Sequence, residues 1–329
     1  MGLVVAKEGL KVLHYFPFGS FLVIVALLLI YKWRKQNYKY KPLNNSYFLL
    51  VVGFVISLLD FFDFADVLFI LLIYIIFIVG VDKIYSKKVK LYKVRPHFVD
   101  FAYDFYWIVL MVWILRAFLF EAYLIPSSSM VPSLLSGDFV LVNKFKHGIK
   151  LPLSNKILIH LNPITRGEVI VFKDPVQHNR DLIKRVIGIP GDEIAYLDKR
   201  LYINKVQVNI EYQDVYQYQE MLSGTLASIS AERYSEDLLG VKHDIIIWNE
   251  RPTIINDQVE NFIGKDQCNY TNNGFSCRIP AQKYFMMGDN RDDSFDSRYW
   301  GFVSEQEILG QAILVVTNFK DMHRSFGAI

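Results

Sequence analysis

Apolar stretches about as long as a bilayer is thick dominate the first third of the chain. Residues 12–31 contain no Asp, Glu, Lys or Arg, and about 20 such residues are needed to cross the hydrocarbon core. A cleavable signal peptide would end in small residues, whereas a basic run follows this stretch: Lys32, Arg34, Lys35, Lys39 and Lys41. The pattern therefore predicts a retained membrane helix.

A second apolar region, residues 47–81, is interrupted by Asp60, Asp63 and Asp66 and is followed by a basic run over 83–95. It could form one long tilted helix or two shorter ones. The positive-inside rule places both basic runs on the cytoplasmic side, which requires an even number of crossings between them. We therefore expect a hairpin of segments 47–62 and 64–81. Each arm is short for a full span, so a re-entrant hairpin is the alternative.

The last apolar segment, 105–120, contains Arg116, whose side chain either snorkels to the interface or is buried for a function. Four crossings would place everything after about residue 122 outside. We expect a membrane region at 1–121 and an exported domain at 122–329. Residues 1–99 carry a net charge of +8 and the remainder −5, so the basic charge lies among the apolar segments. This distribution argues against nucleic acid binding, which needs a basic stripe on a folded domain.

The sequence pattern changes in the exported part, which has short β-rich runs separated by turn signals such as 190–192 and 272–274. Long amphipathic helical patterns are scarce there. We predict a mainly β domain that carries an inserted accessory β region at about 195–282. The only cysteines, Cys268 and Cys277, flank the 272–274 turn, and in an exported domain a disulfide is favoured over two buried thiols. Two cysteines without a histidine cluster predict no metal site.

Three polar segments of the exported part admit two interpretations each. Residues 125–134 are rich in Ser and Pro and could be a linker. Lys184 lies in a β-rich run and either faces solvent on an edge strand or is half-buried, with its pKa lowered by desolvation. Residues 284–301 form either a charged surface turn or an ordered loop held by ion pairs.

Together these segments closely resemble type I signal peptidase (leader peptidase) of the Gram-negative bacterial kind. The similarity spans about residues 105–316 and keeps the order of the family's motifs. The matching residues are Pro126-Ser127-x-Ser129-Met130-x-Pro132-x-Leu134, Gly137-Asp138, Arg166-Gly167-Glu168, Ile183-Lys184-Arg185-Val186-Ile187-Gly188, Pro190-Gly191-Asp192 and Gly288-Asp289-Asn290-Arg291-Asp292 with Ser294, Asp296, Ser297 and Arg298.

The resemblance implies a membrane-bound serine endopeptidase with a Ser–Lys dyad and neither cofactor nor metal. Ser129 would be the nucleophile and Lys184 the general base. A lysine can act so only when burial lowers its pKa from about 10.4. By the same resemblance, the Ser127 hydroxyl and the Ser129 N–H would form the oxyanion hole, and Ser294 would orient Lys184. Asp296 and Arg298 would brace the loop that carries Ser294. Gly288 would allow the backbone to pack closely near the dyad.

The resemblance also implies the substrates: exported preproteins whose signal peptides end in A-x-A type small residues. Apolar S1 and S3 pockets would be lined by Tyr123, Ile125, Leu134, Val140 and Ile183, and the substrate would pair as an added β-strand. The enzyme would be a multi-pass protein of the bacterial inner membrane, in contact with lipid, with a periplasmic catalytic domain.

Two positions depart from the family's pattern. Ser128 stands where Gly is common, and Asp293 where Asn is common. Only Ser127 and Ser129 match functional positions, so Ser128 is expected to be dispensable, whereas an inward-facing Asp293 would raise the pKa of Lys184. The alternatives are another Ser–Lys hydrolase of related fold, such as a self-cleaving regulator, and a non-enzymatic membrane-anchored binding protein.

Overall fold

A computed structural model describes residues 15–35, 40–59, 61, 64–88, 96–151, 155–178, 180–222, 225–319 and 321–329. The chain divides into two compact units, one formed by Leu10–Leu119 and the other containing Phe120–Ile329. Some of the residues used above to predict topology lie outside the described residues: Asp60, Asp63, Lys39, Lys90, Lys93 and Arg95.

Where the structure describes the first unit, it contains four helices: α1 (Tyr15–Lys35), α2 (Tyr40–Leu58), α3 (Phe64–Lys88) and α4 (His97–Ile114), the last extended by a π-helical turn over Leu115–Leu119. Within the described residues, two apolar stretches are long enough to cross a membrane, Phe64–Ile84 and His97–Leu119. The apolar parts of α1 and α2 are shorter, Pro17–Lys32 and Asn45–Leu58. Within the described residues, the region 47–81 contributes to two helices, α2 and α3, and not to one long helix.

The helices present apolar side chains outward as well as toward each other. Phe77 of α3 and Trp107 of α4 are about two-thirds exposed, although both are large hydrophobic residues. Helices close their backbone hydrogen bonds internally, so an apolar outer surface suits them to lipid. The guanidinium of Arg116 lies 5.0 Å from the ring centre of Phe64, a cation–π contact within this unit.

The second unit consists mainly of β-strands, as predicted, and these strands pair antiparallel. In chain order these are β1 (Phe120–Leu124), β2 (Asp138–Asn143), β3 (Gly148–Lys150), β4 (Ile157–His160), β5 (Val169–Lys173), β6 (Asp181–Gly188), β7 (Glu193–Leu197), β8 (Arg200–Ile203), β9 (Val206–Gln207), β10 (Asn209–Leu222), β11 (Thr225–Leu238), β12 (Val241–Ile247), β13 (Cys268–Thr271), β14 (Gly274–Arg278), β15 (Lys283–Met287), β16 (Val303–Ser304), β17 (Ile308–Asn318) and β18 (Gly327–Ala328). A short helix, α5 (Ser297–Trp300), follows β15. The fold class predicted from the sequence, N-terminal helices before a mainly β domain, is confirmed.

The main sheet has the strand order β1-β2-β17-β5-β6-β15-β16, with β18 paired to β17. Strand β6 is buried at every position because β5 and β15 flank it and both of its faces are covered. Lys184 therefore lies on an interior strand, opposite Ile170 of β5. The alternative of a solvent-facing lysine on an edge strand was wrong.

Strands β7–β14 form two smaller sheets, in the part of the chain where an accessory β region was expected. One has the order β10-β11-β12, and the other β13-β14-β7-β8-β9. Cys268 and Cys277 are directly opposite each other on β13 and β14, and a disulfide joins them. The long hairpin of β10 and β11 falls within the accessory β region expected at about 195–282, but the sequence did not indicate its individual strands, since their residues are mostly polar and lack an apolar run.

Candidate active site

The Ser-rich segment after β1 is a buried loop. Ser127, Ser128 and Ser129 are between 4% and 8% exposed. The Ile125 N–H donates to the Asp138 carbonyl at 2.9 Å, and the side chains of Met130 and Leu134 are fully buried. The linker interpretation was therefore wrong, and this nucleophile loop (residues 125–134) is fixed by the core beneath it.

The loop brings Ser129 against Lys184 of β6. Lys184 Nζ lies 2.6 Å from Ser129 Oγ and donates to it, and it also donates to the Ile183 carbonyl at 2.9 Å. Only 3% of Lys184 is exposed. The two residues are therefore within proton-transfer distance in a site that excludes bulk water.

Burial lowers the pKa of Lys184 to about 8, because an ammonium group loses its hydration there. The carboxylates of Asp296 and Asp289 oppose this effect, and Asp293 does so more weakly. A lysine with such a pKa is substantially neutral near pH 8, and a neutral amine can accept a proton from a serine hydroxyl.

Two donors flank the Ser129 hydroxyl. Ser127 Oγ lies 3.4 Å from Ser129 Oγ. Within the described part of the chain, the backbone N–H of Ser129 donates to no other group. Both donors are thus available to an oxyanion that forms beside Ser129.

The segment after β15 packs against the nucleophile loop at Gly288. A Cβ atom at this position would lie 2.4 Å from both the Ser129 carbonyl oxygen and Ser294 Oγ, so only glycine fits without displacing backbone. The Gly288 N–H donates to Asp296 Oδ2 at 2.9 Å. The close approach expected at Gly288 is thus present in the structure.

Asp296 and Arg298 form a buried ion pair that closes this loop. Arg298 Nε donates to Asp296 Oδ1, and Nη2 donates to Oδ2, each at 2.8 Å. Burial alone would raise the pKa of the Asp296 carboxyl, but the Arg298 guanidinium lowers it below its usual range. Arg298 also donates to the carbonyl of Arg291, so the pair connects both ends of the loop.

Ser294 differs from the expectation. It is buried beside Gly288, but the expected bond to Lys184 is not formed; its hydroxyl is instead close enough to the Asp296 carboxylate to help lower the pKa of that group. The hydroxyl can rotate without moving the backbone, so a buried hydroxyl in this position can pair when the charge on its neighbours changes.

Further buried ion pairs support the loop, and sequence reasoning did not assign them a role. Arg185 donates to Asp289 through Nε at 2.8 Å and through Nη2 at 2.6 Å, and Arg291 Nη1 donates to Glu236 of β11 at 2.7 Å. Arg291 and His243 lower the pKa of Glu236 to about 2 against the effect of burial. The alternation of Asp and Arg was the available signal, and the ordered, ion-paired interpretation of residues 284–301 is confirmed.

The five candidate pocket residues belong to one apolar cluster with Met130 and Val142. It contains Tyr123, Ile125, Leu134, Val140 and Ile183, none more than 6% exposed. The cluster borders the dyad through chain neighbours, because Ile183 precedes Lys184 and Met130 follows Ser129. Within the described residues, no three His, Cys, Asp or Glu side chains are grouped as metal ligands would be.

Comparison with known proteins identifies the family. The model of the family "Signal peptidase, peptidase S26" matches residues 98–317. Signal peptidase I of Buchnera aphidicola (subspecies Acyrthosiphon pisum) is 36% identical over 72% of this chain and 81% of its own length. Signal peptidase I of Pseudomonas fluorescens is 39% identical over 67% of this chain and 73% of its own length. The chain therefore belongs to the signal peptidase family, peptidase S26.

Proposed function

We propose that this chain removes signal peptides from exported preproteins with Ser129 as nucleophile and Lys184 as general base. Membership of the signal peptidase family supports the reaction. The observation that supports the residues is the 2.6 Å contact between Lys184 Nζ and Ser129 Oγ in a buried site. Cleavage of a separate preprotein by the full chain in detergent tests the proposal. Cleavage of the chain's own bonds alone would instead indicate a self-cleaving protein.

In the first step, neutral Lys184 accepts the Ser129 proton while Ser129 Oγ attacks the scissile carbonyl carbon. The oxyanion receives hydrogen bonds from the Ser129 N–H and the Ser127 hydroxyl. The Lys184 ammonium then donates its proton to the leaving amine, which is the new N-terminus of the mature protein. Lys184, neutral again, accepts a proton from water as that water attacks the acyl carbonyl carbon. The bond between this carbon and Ser129 Oγ then breaks, and the Lys184 ammonium returns the proton to Ser129 Oγ, so that the signal peptide leaves as a carboxylic acid and the dyad is restored.

The remaining polar groups hold this geometry. Asp296 accepts from the Gly288 N–H and is held by Arg298, which fixes the loop against Ser129. In our proposal, the Ser294 hydroxyl, which is not bonded to Lys184 in the resting site, orients Lys184 during the reaction, because the amine changes its charge and its hydrogen-bonding needs in each step.

The apolar cluster beside the dyad supports a preference for small residues. Its members are already packed together, so a bulky side chain of the substrate would require repacking, whereas alanine would require little. We propose that this cluster forms the S1 and S3 pockets and selects signal peptides of the A-x-A type. Strand β1 lies at one edge of the main sheet, and an edge strand offers unpaired backbone groups to an extended peptide.

We propose further that the helical unit is embedded in the inner membrane, that it crosses several times, and that the β unit is periplasmic. The length and hydropathy of α3 and α4 support two spans. The basic residues at 32–41 and 83–95 support a cytoplasmic position for both runs. With α1 and α2 also crossing, residues 120–329 would lie on the outer side.

Single-cysteine labelling measures this topology. In a chain with Cys268 and Cys277 replaced by serine, Asp66→Cys should react with a membrane-impermeant maleimide in cells whose outer membrane alone is permeable. Lys87→Cys should react only after the inner membrane is opened, since it belongs to the second basic run. Both variants reacting on the same side would contradict the hairpin topology.

The pH dependence of cleavage should report Lys184. We expect kcat/KM to rise with pH through about 8, where Lys184 loses its proton in the free enzyme. Asp293→Asn removes a negative charge that favours the ammonium form, so the rising limb should move to lower pH by about a few tenths of a unit, since Asp293 is partly exposed and screened. Glu211→Gln, which changes an exposed carboxylate on β10, serves as the control. A limb that moves upward in Asp293→Asn would contradict the assignment of Lys184 as the base.

A further inference from the structure

The two positions at which this chain departs from the family's pattern contact each other. Ser128 Oγ donates to Asp293 Oδ2 at 2.9 Å, although the residues are 165 positions apart. The same hydroxyl oxygen lies 2.5 Å from Oε1 of Glu220 on β10. A hydroxyl between two carboxylates, one residue before the nucleophile, is an arrangement that the proposed reaction does not use.

We propose that Ser128, Asp293 and Glu220 form a clasp that holds the nucleophile loop in its reactive conformation, with Glu220 as a positioning residue supplied by the β10–β11 hairpin. This inference rests on the proposed role of Ser129 as nucleophile. The hairpin thereby contributes to catalysis without touching the substrate's reacting atoms.

The clasp is fully hydrogen-bonded only when it holds one extra proton. A serine hydroxyl has a single proton and can satisfy one carboxylate as donor. If Glu220 keeps its proton, its O–H donates to Ser128 Oγ, and the Ser128 O–H donates to Asp293. Burial and the nearby Asp293 carboxylate raise the pKa of Glu220, while Ser128 and Arg251 oppose the shift. Arg251 Nη1 lies 3.2 Å from Asp293 Oδ1 and balances its charge.

A second set of contacts joins the hairpin to the same loop. Asn290 Nδ2 donates to the Ser128 carbonyl at 3.2 Å and to the Tyr218 hydroxyl of β10 at 3.0 Å. The Asn290 N–H donates to the Ser129 carbonyl at 3.1 Å. Val131 of the loop packs in one apolar cluster with Tyr218 and Ile246. The backbone on both sides of the Ser129 N–H is therefore held by residues of the hairpin and of the loop after β15.

This arrangement links the two departures physically within this chain. With Gly at position 128 there would be no hydroxyl to bridge Glu220 and Asp293, and the two carboxylates would repel each other whenever Glu220 loses its proton. With Asn at position 293, the Ser128 hydroxyl could still donate to the Asn side-chain oxygen, but there would be no second negative charge beside Glu220. The clasp therefore gives Asp293 a second partner besides Arg251, and it gives Ser128 a structural role, against the expectation that Ser128 is dispensable.

The test separates positioning from stability. The full chain is assayed in detergent on a peptide that spans a signal-peptide cleavage site, and kcat, KM and the melting temperature are measured. Glu220→Ala should lower kcat about tenfold with KM within about twofold, the effect of losing one hydrogen bond that matters in the transition state. Glu220→Gln should restore kcat, since its Nε2 can donate to Ser128 Oγ as the protonated carboxyl does. Glu211→Ala, on the same strand, is the matched control.

Wild-type kcat in Glu220→Ala would overturn the clasp, and so would an equal loss in the Ala and Gln variants. Should Glu220→Ala fail to fold, the variants Ser128→Gly and Asp293→Asn, made singly and together, test the clasp instead. Ser128→Gly alone should lower kcat, and adding Asp293→Asn should recover most of the loss, whereas purely additive effects would contradict the proposal. The Ser129→Ala variant distinguishes failure of the proposed function from failure of the clasp alone. Activity in that variant means that the proposed function is wrong, whereas an inactive Ser129→Ala beside an unaffected Glu220→Ala means that only the clasp is wrong.

Discussion

Ser129→Ala and Lys184→Met should each lower kcat/KM for preprotein cleavage by about 10⁴-fold or more, while the protein remains folded. Without Ser129 Oγ no acyl-enzyme can form. Without Lys184 no base lies within hydrogen-bond distance of the Ser129 hydroxyl in the described structure. Methionine matches the volume of the buried lysine stem, so this variant removes the amine without opening a cavity.

The comparison of the two variants separates chemistry from folding. Burying an ammonium group costs free energy, so Lys184→Met should melt at the wild-type temperature or above it. The double variant should be no worse than either single one, because the two residues act as a unit. Loss of activity together with a large fall in melting temperature would point to a structural role, and near wild-type turnover in either variant would contradict the dyad.

The sequence predicts those features of this site that depend on residues close together along the chain, and it does not predict those that depend on residues far apart along the chain. The polar segments around Ser129, Lys184 and 288–298 were identifiable because each carries a recognisable order of residues. The burial of Lys184 was not identifiable from the sequence, because it depends on the pairing of β6 with β5 and β15. The paired residues of β15, Phe285–Met287, are about a hundred residues after Lys184 in the chain. Sequence reasoning left a solvent-facing lysine and a half-buried lysine as alternatives, and only the pairing of three strands makes the burial complete.

The hairpin of β10 and β11 was even harder to predict from the sequence than the burial of Lys184. Strands β10 and β11 are 14 residues each but mostly polar, so hydrophobic periodicity gave no signal for them. Their position is set by packing of Tyr218 and Ile229 against Val131, contacts between residues about ninety or more positions apart. Glu220 was therefore overlooked, although Ser128 and Asp293 had already been recognised as unusual.

Ser127→Ala should lower kcat by about 10²–10³-fold and leave KM nearly unchanged, the usual effect of removing one oxyanion donor. The Ser127 hydroxyl lies 3.4 Å from Ser129 Oγ, too far for a strong bond in the resting site but placed to donate to an oxyanion formed beside Ser129. Its contribution should therefore appear in the transition state and not in substrate binding.

A peptide aldehyde with alanine at the residue before the cleaved bond provides the direct measurement, because its adduct with Ser129 is tetrahedral. Ser127→Ala should weaken its binding by a factor similar to the loss in kcat, and binding of an uncleavable substrate peptide should not change. Ser136→Ala, which removes an exposed hydroxyl that donates to the Pro126 carbonyl, is the control. If Ser127→Ala instead raised KM with kcat intact, the hydroxyl would act on the ground state, and the oxyanion hole would depend on the Ser129 N–H without it.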